Sequence, residues 1–401
     1  MQIKMGDERL INSKLTLLVG SNEIKVAPAA PFNELSCCFC EELSRELMKI
    51  KGRPDIMTLA FWCRKAHIYQ MKEQYAKEEL RLGRGIVFHL APSNVPINFI
   101  FSFLFGVLAG NSNIVRVPSK SHEQIDLICM AINKVLMQEK YKNIKEQTAF
   151  VRYDHDEELN TFFMKNSDAH MIWGGNATIA KMKKYPTKPR CNQVMFANRY
   201  SFSIINSDEI LKLSEKELLQ LAKNFYNDTY IMDQNGCSSP QLIVWVGNLK
   251  QGGKRRFWDA IYRCVKKDYK LEAMMVMDKY TQLCQELISL SSIKEIQVKD
   301  NWVYRIQLKE LDQMIHERRG KSGYFYEYDA RNIEEIGQMI NETYQTVTYF
   351  GIDKQEIIQV IKKQNLIGID RIVPVGIALA MENIWDGYDL INELSRRLMA
   401  L

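Results

Sequence analysis

The stretch that decides the fold runs from residue 86 to residue 120 and reads IVFHLAPSNVPINFIFSFLFGVLAGNSNIVRVPSK. It opens on an apolar, β-branched run, Ile86 to Leu90, which is typical of a buried strand. A turn bounded by prolines follows, then an apolar helical pattern near residues 96–109, and then a second strand-like run, Ile114 to Val117. A strand, a helix and a second strand in this order predict a parallel β-α-β unit.

The alternation of strand-like and helical patterns continues beyond this unit. Further apolar, β-branched runs occupy Ala149 to Tyr153, His170 to Trp173, Phe202 to Ile205 and Leu242 to Val246. Helical patterns lie between them near residues 121–138, 156–166, 176–184 and 214–227, the last opened by a capping box of Ser214 and Glu217. After residue 247, helical patterns recur near 254–267, 333–343, 354–363 and 386–399. Strands interleaved with helices predict an α/β protein built on a parallel sheet.

Length and composition are those of an ordinary globular protein. At roughly 150 residues per domain, 401 residues predict two or three domains. The content of 46% apolar and 25% charged residues excludes intrinsic disorder and a disulfide miniprotein. The net charge of +6 is dilute and the lysines are spread over amphipathic helices, so nucleic-acid binding is not expected.

Cysteine usage and hydropathy bear on location. The nine cysteines are an odd number without CxxC pairs, which fits a reducing cytosol. The first residues lack the apolar core of a signal peptide, and the most apolar stretch, Phe99 to Gly110, is shorter than the roughly 20 residues of a membrane span. No cluster has metal-ligand spacing, so no metal is predicted. We therefore expect a cytoplasmic protein without a membrane span.

The first segment that carries chemistry is the turn after the strand of residues 86–90. Asn94, held between Pro92 and Pro96, would present a rigid side-chain amide at the sheet edge where ligands of parallel sheets bind. Such an amide can donate to an oxyanion. The alternative is purely structural, because asparagine favours turns.

The second segment follows the next strand. Arg116, Ser119 and Lys120 place two cations and a hydroxyl at a strand end beside a helix N-terminus, where phosphate is favoured. A solvated basic turn is the alternative. The residues therefore predict either an anion site or an ordinary surface turn.

The third and fourth segments are glycine-containing loops. Gly174 and Gly175 stand between a strand and a helix, where a backbone without side chains lets a cofactor approach closely, although a Gly-Gly pair is usually only a turn. Of the nine cysteines, Cys237 alone lies in a polar, glycine-containing loop, Asp233-Gln-Asn-Gly-Cys237, rather than within an apolar helical pattern. An exposed loop thiol can ionise and attack a carbonyl, and its own backbone N–H can help hold the resulting oxyanion.

The order of these segments resembles the aldehyde dehydrogenase superfamily, and more closely the long-chain acyl-CoA reductases of bacterial luminescence operons (LuxC type). The pieces that carry this resemblance extend over about residues 55–395. They are Ala60-Phe-Trp-Cys-Arg-Lys65, Ile172-Trp-Gly-Gly175, Gln234-Asn-Gly-Cys-Ser-Ser-Pro240, Gly368-Ile-Asp-Arg-Ile-Val-Pro-Val-Gly376 and Ile384-Trp-Asp-Gly-Tyr388. The resemblance implies that Cys237 is the nucleophile and that Asn94 supplies the oxyanion-hole amide.

Three departures from aldehyde dehydrogenases change the expected chemistry. Phe196 stands where the superfamily has the Glu that activates hydrolytic water, which favours acyl-CoA reduction over oxidation to a free acid. Lys120 stands where an acidic residue would accept the ribose hydroxyls, which favours NADPH over NADH, with Arg116, Ser119, Gly174 and Gly175 as further cofactor contacts. The ribose-clamp Glu of the superfamily is not recognisable, and Glu327 is the nearest candidate.

The resemblance implies an aldehyde dehydrogenase-like α/β fold with a Rossmann-type cofactor domain and an α/β catalytic domain. We expect N-terminal helices and the NADP-binding domain over residues 1–205, the catalytic domain over 206–365, and a C-terminal segment, 366–401, returning across the active site.

The function implied is NADPH-dependent reduction of an acyl thioester to an aldehyde through an acyl-cysteine. The acyl group would come from acyl-CoA or from an acyl-protein synthetase partner, and a homo-oligomer is implied. The alternatives are an NAD(P)-dependent aldehyde dehydrogenase working in the oxidative direction, against which Phe196 argues, and a non-catalytic interaction subunit, against which intact Cys237 and Asn94 argue.

Overall fold

A computed structural model describes residues 2–4, 15–75, 80–92, 97–120 and 122–399 of the chain. The chain divides into two units. The first unit comprises Met1–Asn198 and Met381–Leu401, and the second comprises Arg199–Ala380. The sequence placed boundaries after residues 205 and 365. The observed boundaries differ from these because the strand over residues 200–206 belongs to the second unit's sheet, and because the chain returns to the first unit only at Met381.

The first unit is built on a six-stranded sheet whose order is β2-β7-β6-β5-β8-β9. The strands of this part of the chain are β1 Gln2–Lys4, β2 Thr16–Gly20, β3 Glu23–Lys25, β4 Arg81–Gly83, β5 Ile86–Leu90, β6 Ser112–Arg116, β7 Thr148–Arg152, β8 Ala169–Trp173 and β9 Asn192–Phe196. Outside the sheet, β1 pairs with β3, and β4 pairs with the strand Ser395–Arg397. The helices are α1 Glu34–Leu47, α2 Pro54–Trp62, α3 Lys65–Gln74, α4 Asn98–Leu108, α5 Glu123–Leu136, α6 Lys142–Glu146, α7 Glu157–Asn166 and α8 Asn176–Met182, with a 3₁₀ turn at Glu139–Tyr141. Strands β5 to β8 are mutually parallel, as predicted, β9 continues the parallel sheet beside β8, and β2 pairs antiparallel at the edge.

The middle of this sheet is the strand of the deciding sequence. From β5 the chain moves to β6 and β7 on one side and then crosses to β8 and β9 on the other. All five residues of β5 and every residue of α4 are buried, which explains their continuous apolar composition. A reversal of strand order of this kind opens a crevice at the carboxyl edge, where ligands of open α/β sheets bind.

Two histidines, His89 on β5 and His170 on β8, lie in the core of the first unit. His89 Nε2 donates to Asn113 Oδ1 over 3.0 Å, and His170 Nε2 donates to the Met164 carbonyl over 2.9 Å. Burial lowers the pKa of both imidazoles to about 4, against hydrogen bonds that raise it. Both rings are therefore neutral at pH 7.

Acidification is expected to destabilise the protein through these rings. The pKa of each ring is lower in the folded state than the unfolded value of about 6.5. The contribution of the neutral rings to the free energy of unfolding is therefore complete above about pH 6.5 and is lost as the pH falls toward about 4. At about pH 5 each ring should have lost about 2 kcal/mol of unfolding free energy. Urea denaturation near pH 7.5 and pH 5 measures this loss. His89→Asn should lose less on acidification than wild type, whereas His155→Asn, at an exposed site, should match wild type; equal losses in all three proteins would contradict the assignment.

The second unit is built on a seven-stranded sheet of order β12-β13-β14-β11-β10-β15-β16, in which only the edge strand β12 is antiparallel to its neighbour. Its strands are β10 Tyr200–Asn206, β11 Leu242–Val246, β12 Ile293–Lys299, β13 Val303–Leu308, β14 Tyr324–Asp329, β15 Tyr344–Phe350 and β16 Arg371–Pro374. Its helices are α9 Ser207–Lys212, α10 Glu215–Thr229, α11 Lys250–Asp268, α12 Ala273–Ser289 and α13 Lys354–Gln364, with 3₁₀ turns at Tyr230–Met232, Ile315–Glu317 and Ile333–Gln338.

Both faces of this second sheet are covered. Along β11, Leu242 and Val244 pack into one apolar cluster, while Ile243 and Trp245 pack into another on the opposite face. Successive side chains of a strand point to opposite faces, so a strand between two cores is apolar throughout. This explains why β11 was found from its sequence with its observed bounds.

Helix α12 has an unusual distribution of side chains and was missed by the sequence analysis. It buries Lys279, which donates to the Ser322 carbonyl over 2.9 Å, and Glu286, which accepts from Tyr326 Oη over 2.7 Å. Its exposed side chains include Met274, Met277, Tyr280, Leu287 and Ile288. Charged residues inside and apolar residues outside reverse the pattern on which helix prediction depends.

The last part of the chain does not form the helix predicted over residues 386–399. Residues 386–399 are not one helix but form β17 Ile384–Trp385, β18 Tyr388–Asp389, α14 Leu390–Glu393 and β19 Ser395–Arg397. The reason is the turn of Asp386 and Gly387, which both have positive φ, 54° and 78°. An Asp-Gly pair in this conformation closes a tight hairpin. The helix predicted over 333–343 is likewise only the 3₁₀ turn Ile333–Gln338, and no helix among the described residues is long and apolar enough to cross a membrane.

Candidate active site

The carboxyl edge of the first sheet brings together most of the predicted cofactor contacts. Arg116 ends β6 in register with Leu90 of β5, which is itself in register with Ile172 of β8. Gly174 and Gly175 follow β8 directly, so they lie at the same edge as Arg116. Ser119 and Lys120 follow β6 and are exposed, and Asn94 falls outside the described residues.

Arg116 has an unused donor at this edge. Its Nη2 donates to the Tyr153 carbonyl over 3.2 Å, and its guanidinium carbon lies 4.5 Å from the centre of the Tyr153 ring. Its Nε is buried and has no hydrogen-bond partner in the described part of the chain. A buried donor without a partner is costly, so this nitrogen fits a site that an anionic ligand completes.

The glycine pair is enclosed on the protein side. A Cβ at Gly174 would lie 2.9 Å from side-chain atoms of Thr178, and one at Gly175 would lie 3.4 Å from Asn198 Oδ1. The Gly174 N–H donates to the Phe196 carbonyl over 3.0 Å, which fixes the turn to β9. The backbone here is therefore held close to its neighbours, with no room for a side chain at Gly174.

Phe196 forms part of an aromatic wall. Its ring stacks on Trp173 with 3.6 Å between ring centres and 16° between planes, and Tyr388 meets it edge-on. Phe196 is 4% exposed. The position where aldehyde dehydrogenases are expected to carry a water-activating carboxylate is thus an apolar contact in this chain.

The loop that carries Cys237 begins with two residues in the left-handed region. Asp233 and Gln234 have φ of 51° and 61°, which turns the chain sharply after the 3₁₀ turn Tyr230–Met232. The Asn235 N–H donates back to the Met232 carbonyl over 2.8 Å. The loop therefore has a defined conformation before it reaches the cysteine.

Two buried glutamines hold this loop. Gln234 Nε2 donates to the carbonyls of Pro240 and Tyr324, and its Oε1 accepts from the N–H groups of Gly323 and Tyr324, over 3.0 to 3.2 Å. Gln241 Nε2 donates to the Gln234 carbonyl over 3.0 Å, and its Oε1 accepts from the Gly320 N–H over 2.8 Å. The bonding capacity of the Gln234 amide is fully used. Sequence analysis singled out neither residue for this role.

Cys237 is half-buried and its backbone is fixed by strand β10. Ser201 Oγ donates to the Cys237 carbonyl over 2.7 Å and accepts from the Thr346 N–H over 3.2 Å. Burial raises the thiol pKa of six cysteines elsewhere in the chain, which disfavours their thiolates: Cys37, Cys40, Cys63, Cys129, Cys191 and Cys264.

A buried aspartate fixes a second segment near this loop. The Asp228 carboxylate accepts from the backbone N–H groups of Gly376 and Ala378 over 2.6 and 2.8 Å. Burial raises the pKa of Asp228 to about 7, against these two hydrogen bonds, which lower it. The segment reaches the cysteine loop, since a Cβ at Gly236 would lie 2.9 Å from Leu379 Cδ2. Asp228 carried no sequence signal, because its partners are about 150 residues away.

Glu327, the sequence candidate for a ribose clamp, is placed elsewhere. Its Oε1 accepts from the indole N–H groups of Trp245 and Trp258, and its Oε2 accepts from Arg305, over 2.7 to 2.8 Å. The residue is 1% exposed, so neither oxygen is available to a ribose. The assignment is wrong because the Glu327 carboxylate is buried and already bonded to two tryptophans and an arginine.

No metal centre appears in the ranges that the structure describes. No three His, Cys, Asp or Glu side chains among those residues are grouped closely enough to hold a metal ion.

Solved structures of aldehyde dehydrogenases are similar to this chain. Aldehyde dehydrogenase 21 from Physcomitrella patens matches with a TM-score of 0.63 at 11% identity, over 91% of this chain and 85% of that one. An NAD-dependent benzaldehyde dehydrogenase from Corynebacterium glutamicum matches with 0.60 at 10% identity, over 92% and 85%. Proline utilization A from Bradyrhizobium japonicum matches with 0.63 at 10%, over 92% of this chain but 42% of its own. The fold is that of the aldehyde dehydrogenases, which confirms the predicted fold class.

The family follows from the sequence comparison. The model of the acyl-CoA reductase (LuxC) family matches residues 38–254, more than half of the chain, and the chain belongs to this family. A long-chain acyl-protein thioester reductase from Vibrio harveyi is 23% identical over 273 residues, which make up 66% of this chain and 53% of that protein. The chain therefore spans about half the length of this curated relative. The predicted family is confirmed.

Proposed function

We propose that this protein reduces an acyl thioester to an aldehyde through an acyl intermediate on Cys237, with NADPH as the reductant. The observation that carries the proposal is the fixed loop of Cys237 in a member of the acyl-CoA reductase family. Both the loop geometry and the family support a nucleophilic thiol at this position.

The acylation step uses groups of this chain. The Cys237 thiolate attacks the thioester carbonyl, the carbonyl becomes an oxyanion, and coenzyme A or a carrier thiol leaves as the thiolate. The Cys237 N–H and, by the resemblance, the Asn94 amide would donate to that oxyanion. The products are an acyl-cysteine and a free thiol.

The reduction step completes the reaction. NADPH, when bound, supplies the hydride for the carbonyl of the acyl-cysteine. The resulting thiohemiacetal collapses, releasing the aldehyde and regenerating the Cys237 thiolate. The apolar contact of Phe196 with Trp173 supports this route, because no carboxylate at that position activates water for hydrolysis of the thioester.

The carboxyl edge of the first sheet fits the cofactor. The buried Nε of Arg116 has no hydrogen-bond partner among the described residues, and it supports recognition of a 2′-phosphate, with Ser119 and exposed Lys120 nearby in sequence. The crowded turn of Gly174 and Gly175 supports close approach of the cofactor to the backbone. We assign the second unit, with Cys237, to catalysis, and the segment after residue 366 to the closing of the active site.

A charge reversal tests the preference for NADPH. Lys120→Glu is expected to weaken NADPH binding about tenfold, because a carboxylate repels the 2′-phosphate, while NADH binding changes little. Fluorescence titration of the bound nicotinamide gives both dissociation constants. Lys165→Glu, at an exposed site on α7, is the matched control and should retain wild-type affinity. Equal weakening for NADH and NADPH would contradict the role of Lys120.

The acyl donor and the surroundings of the enzyme are part of the proposal. The Vibrio harveyi relative is named an acyl-protein thioester reductase, which supports a protein-bound acyl donor, supplied by an acyl-protein synthetase, as well as acyl-CoA. We place the enzyme in the cytoplasm, as its nine cysteines suggest, and expect it to act as a homo-oligomer.

The test is a panel of acyl-CoAs of graded chain length, mixed with the protein and NADPH while the absorbance of the reduced nicotinamide is followed. Oxidation that depends on acyl-CoA supports the reductase and ranks the chain lengths. If no acyl-CoA is reduced but peptide mass spectrometry finds acylated Cys237, transfer from a protein donor is the next substrate to test. Absence of both oxidation and acylation overturns the proposal, and reduction of NADP with an aldehyde would favour the oxidative alternative.

A further inference from the structure

We propose that the Arg319 guanidinium stabilises the thiolate of Cys237 and so activates it as a nucleophile. The inference rests on the proposed function in one respect, that Cys237 is the reacting thiol. It adds a positioning residue that lies 82 residues along the chain from the cysteine.

The backbone of Arg319 is tied to the cysteine loop. The Gly320 N–H donates to Gln241 Oε1 over 2.8 Å, and the Ser322 N–H donates to the Asp233 carbonyl over 3.0 Å. Gln234 bonds the backbone of Gly323 in the same segment over 3.2 Å. The segment 319–323 and the loop 233–241 are therefore one hydrogen-bonded assembly.

The side chain of Arg319 reaches the strand that positions Cys237. Its Nη2 donates to the Arg199 carbonyl, and its guanidinium carbon lies 5.9 Å from the centre of the Tyr200 ring. The next residue on that strand, Ser201, donates to the Cys237 carbonyl over 2.7 Å. The cation and the cysteine thus contact consecutive residues at the start of β10.

The charge of Arg319 is not paired with a carboxylate in the described part of the chain. The adjacent Arg318 pairs with Glu286 over 2.6 Å, but among the described residues no carboxylate lies within 4.0 Å of the Arg319 guanidinium. Burial lowers the pKa of Arg319, and the Tyr200 hydroxyl and the Cys237 thiol oppose that shift. Burial also raises the pKa of Tyr200 well above its usual value, so its hydroxyl is neutral at pH 7.

Other titratable groups on the packed elements have partners of their own. Arg199 forms an ion pair with Asp370. The Asp233 carboxylate accepts from Tyr269 Oη over 2.5 Å, and burial raises its pKa. Asp228 is engaged with two backbone N–H groups and its pKa is raised to about 7. At neutral pH Asp228 is only partly ionised, so it repels a thiolate on Cys237 less than a full carboxylate charge would.

A fixed cation beside a thiol lowers its pKa, which is about 8.5 for free cysteine, and increases the thiolate fraction at neutral pH. Because alkylation by iodoacetamide follows the thiolate, the experiment is the pH dependence of Cys237 alkylation in the full-length protein. Peptide mass spectrometry separates Cys237 from the eight other cysteines. The wild-type midpoint is expected below about 8.5.

Substitution of the arginine tests the source of the shift. Arg319→Gln should raise the midpoint by about one pH unit and slow alkylation at pH 7 about tenfold, with an unchanged rate at high pH where the thiol is fully ionised. Arg319→Lys should restore part of the shift, because it restores the charge. Lys321→Gln removes an exposed charge from the same segment and should leave the midpoint as in wild type.

The outcomes separate this inference from the proposed function. A wild-type midpoint at or above that of free cysteine overturns the role of Arg319, even if Arg319→Gln does not fold. An unchanged midpoint in folded Arg319→Gln also overturns it. Alkylation requires no acyl donor or cofactor, so it tests Arg319 independently of the reaction. If the midpoint is low and depends on Arg319 but the protein reduces no thioester, the proposed reaction is overturned and the interaction of Arg319 with Cys237 is retained.

Discussion

Cys237→Ala is expected to abolish acyl-CoA-dependent oxidation of NADPH, with a loss of roughly a thousandfold or more in turnover. The reason is that the alanine enzyme has no atom that can accept the acyl group, and the covalent route is closed. The absorbance of the reduced nicotinamide measures turnover, and intact-protein mass spectrometry measures the acylated fraction. Both signals should disappear together, while NADPH binding persists because Cys237 is not among the proposed cofactor contacts.

The matched control for this substitution is Cys284→Ala. Cys284 is also half-buried but lies on helix α12. Its variant should retain wild-type turnover and the acyl-enzyme mass. A Cys237→Ala enzyme within about tenfold of wild type would remove Cys237 from the mechanism, since loss of a covalent nucleophile cannot have so small an effect.

The first unit could be read from the sequence because its signals are local. Strands β5 to β8 are mostly apolar runs bounded by turn residues, and the helices between them have periodic apolar faces, whereas the edge strands β2 and β9 were not predicted. Strand β5 was found with its observed bounds, Ile86–Leu90, and helix α7 differs by one residue from its predicted start. In a parallel sheet covered on both faces, composition alone marks the strands.

The region after residue 247 was predicted only in part: the patterns near 254–267 and 354–363 correspond to α11 and α13, whereas α12 and β12 were missed. Helix α12 buries Lys279 and Glu286 among polar partners, so its amphipathic pattern is reversed. The edge strand β12 is mostly exposed, so it has no apolar run. The hairpin at Asp386 and Gly387 did carry a local signal, an Asp-Gly pair, which the periodic pattern around it obscured.

In the candidate site, too, local features could be predicted from the sequence and long-range contacts could not. Cys237 was visible because a polar, glycine-containing loop is a local feature. Its supports were not visible, since Arg319 and Asp228 are defined only by partners far away in sequence. Glu327 was assigned wrongly for the same reason, because its sequence surroundings did not reveal that two tryptophans and Arg305 donate hydrogen bonds to its carboxylate.

Gln234→Met is expected to lower the free energy of unfolding by about 3–5 kcal/mol. The methionine side chain has a similar volume but leaves four buried backbone groups without a partner: the carbonyls of Pro240 and Tyr324 and the N–H groups of Gly323 and Tyr324. Each unpaired buried group costs about 1–3 kcal/mol, and partial relaxation of the loop reduces the sum. Equilibrium urea denaturation, followed by circular dichroism, measures the change.

The control is Gln220→Met, since Gln220 is exposed on α10 and its amide donates to the neighbouring Asn224 side chain over 2.9 Å. Its unfolding free energy should stay within about 0.5 kcal/mol of wild type. Because Gln234 also joins the cysteine loop to the segment of Arg319, the Gln234→Met protein should lose selective alkylation of Cys237 at neutral pH, under conditions where it is still folded. Wild-type stability in Gln234→Met would mean that the loop conformation does not depend on the buried amide.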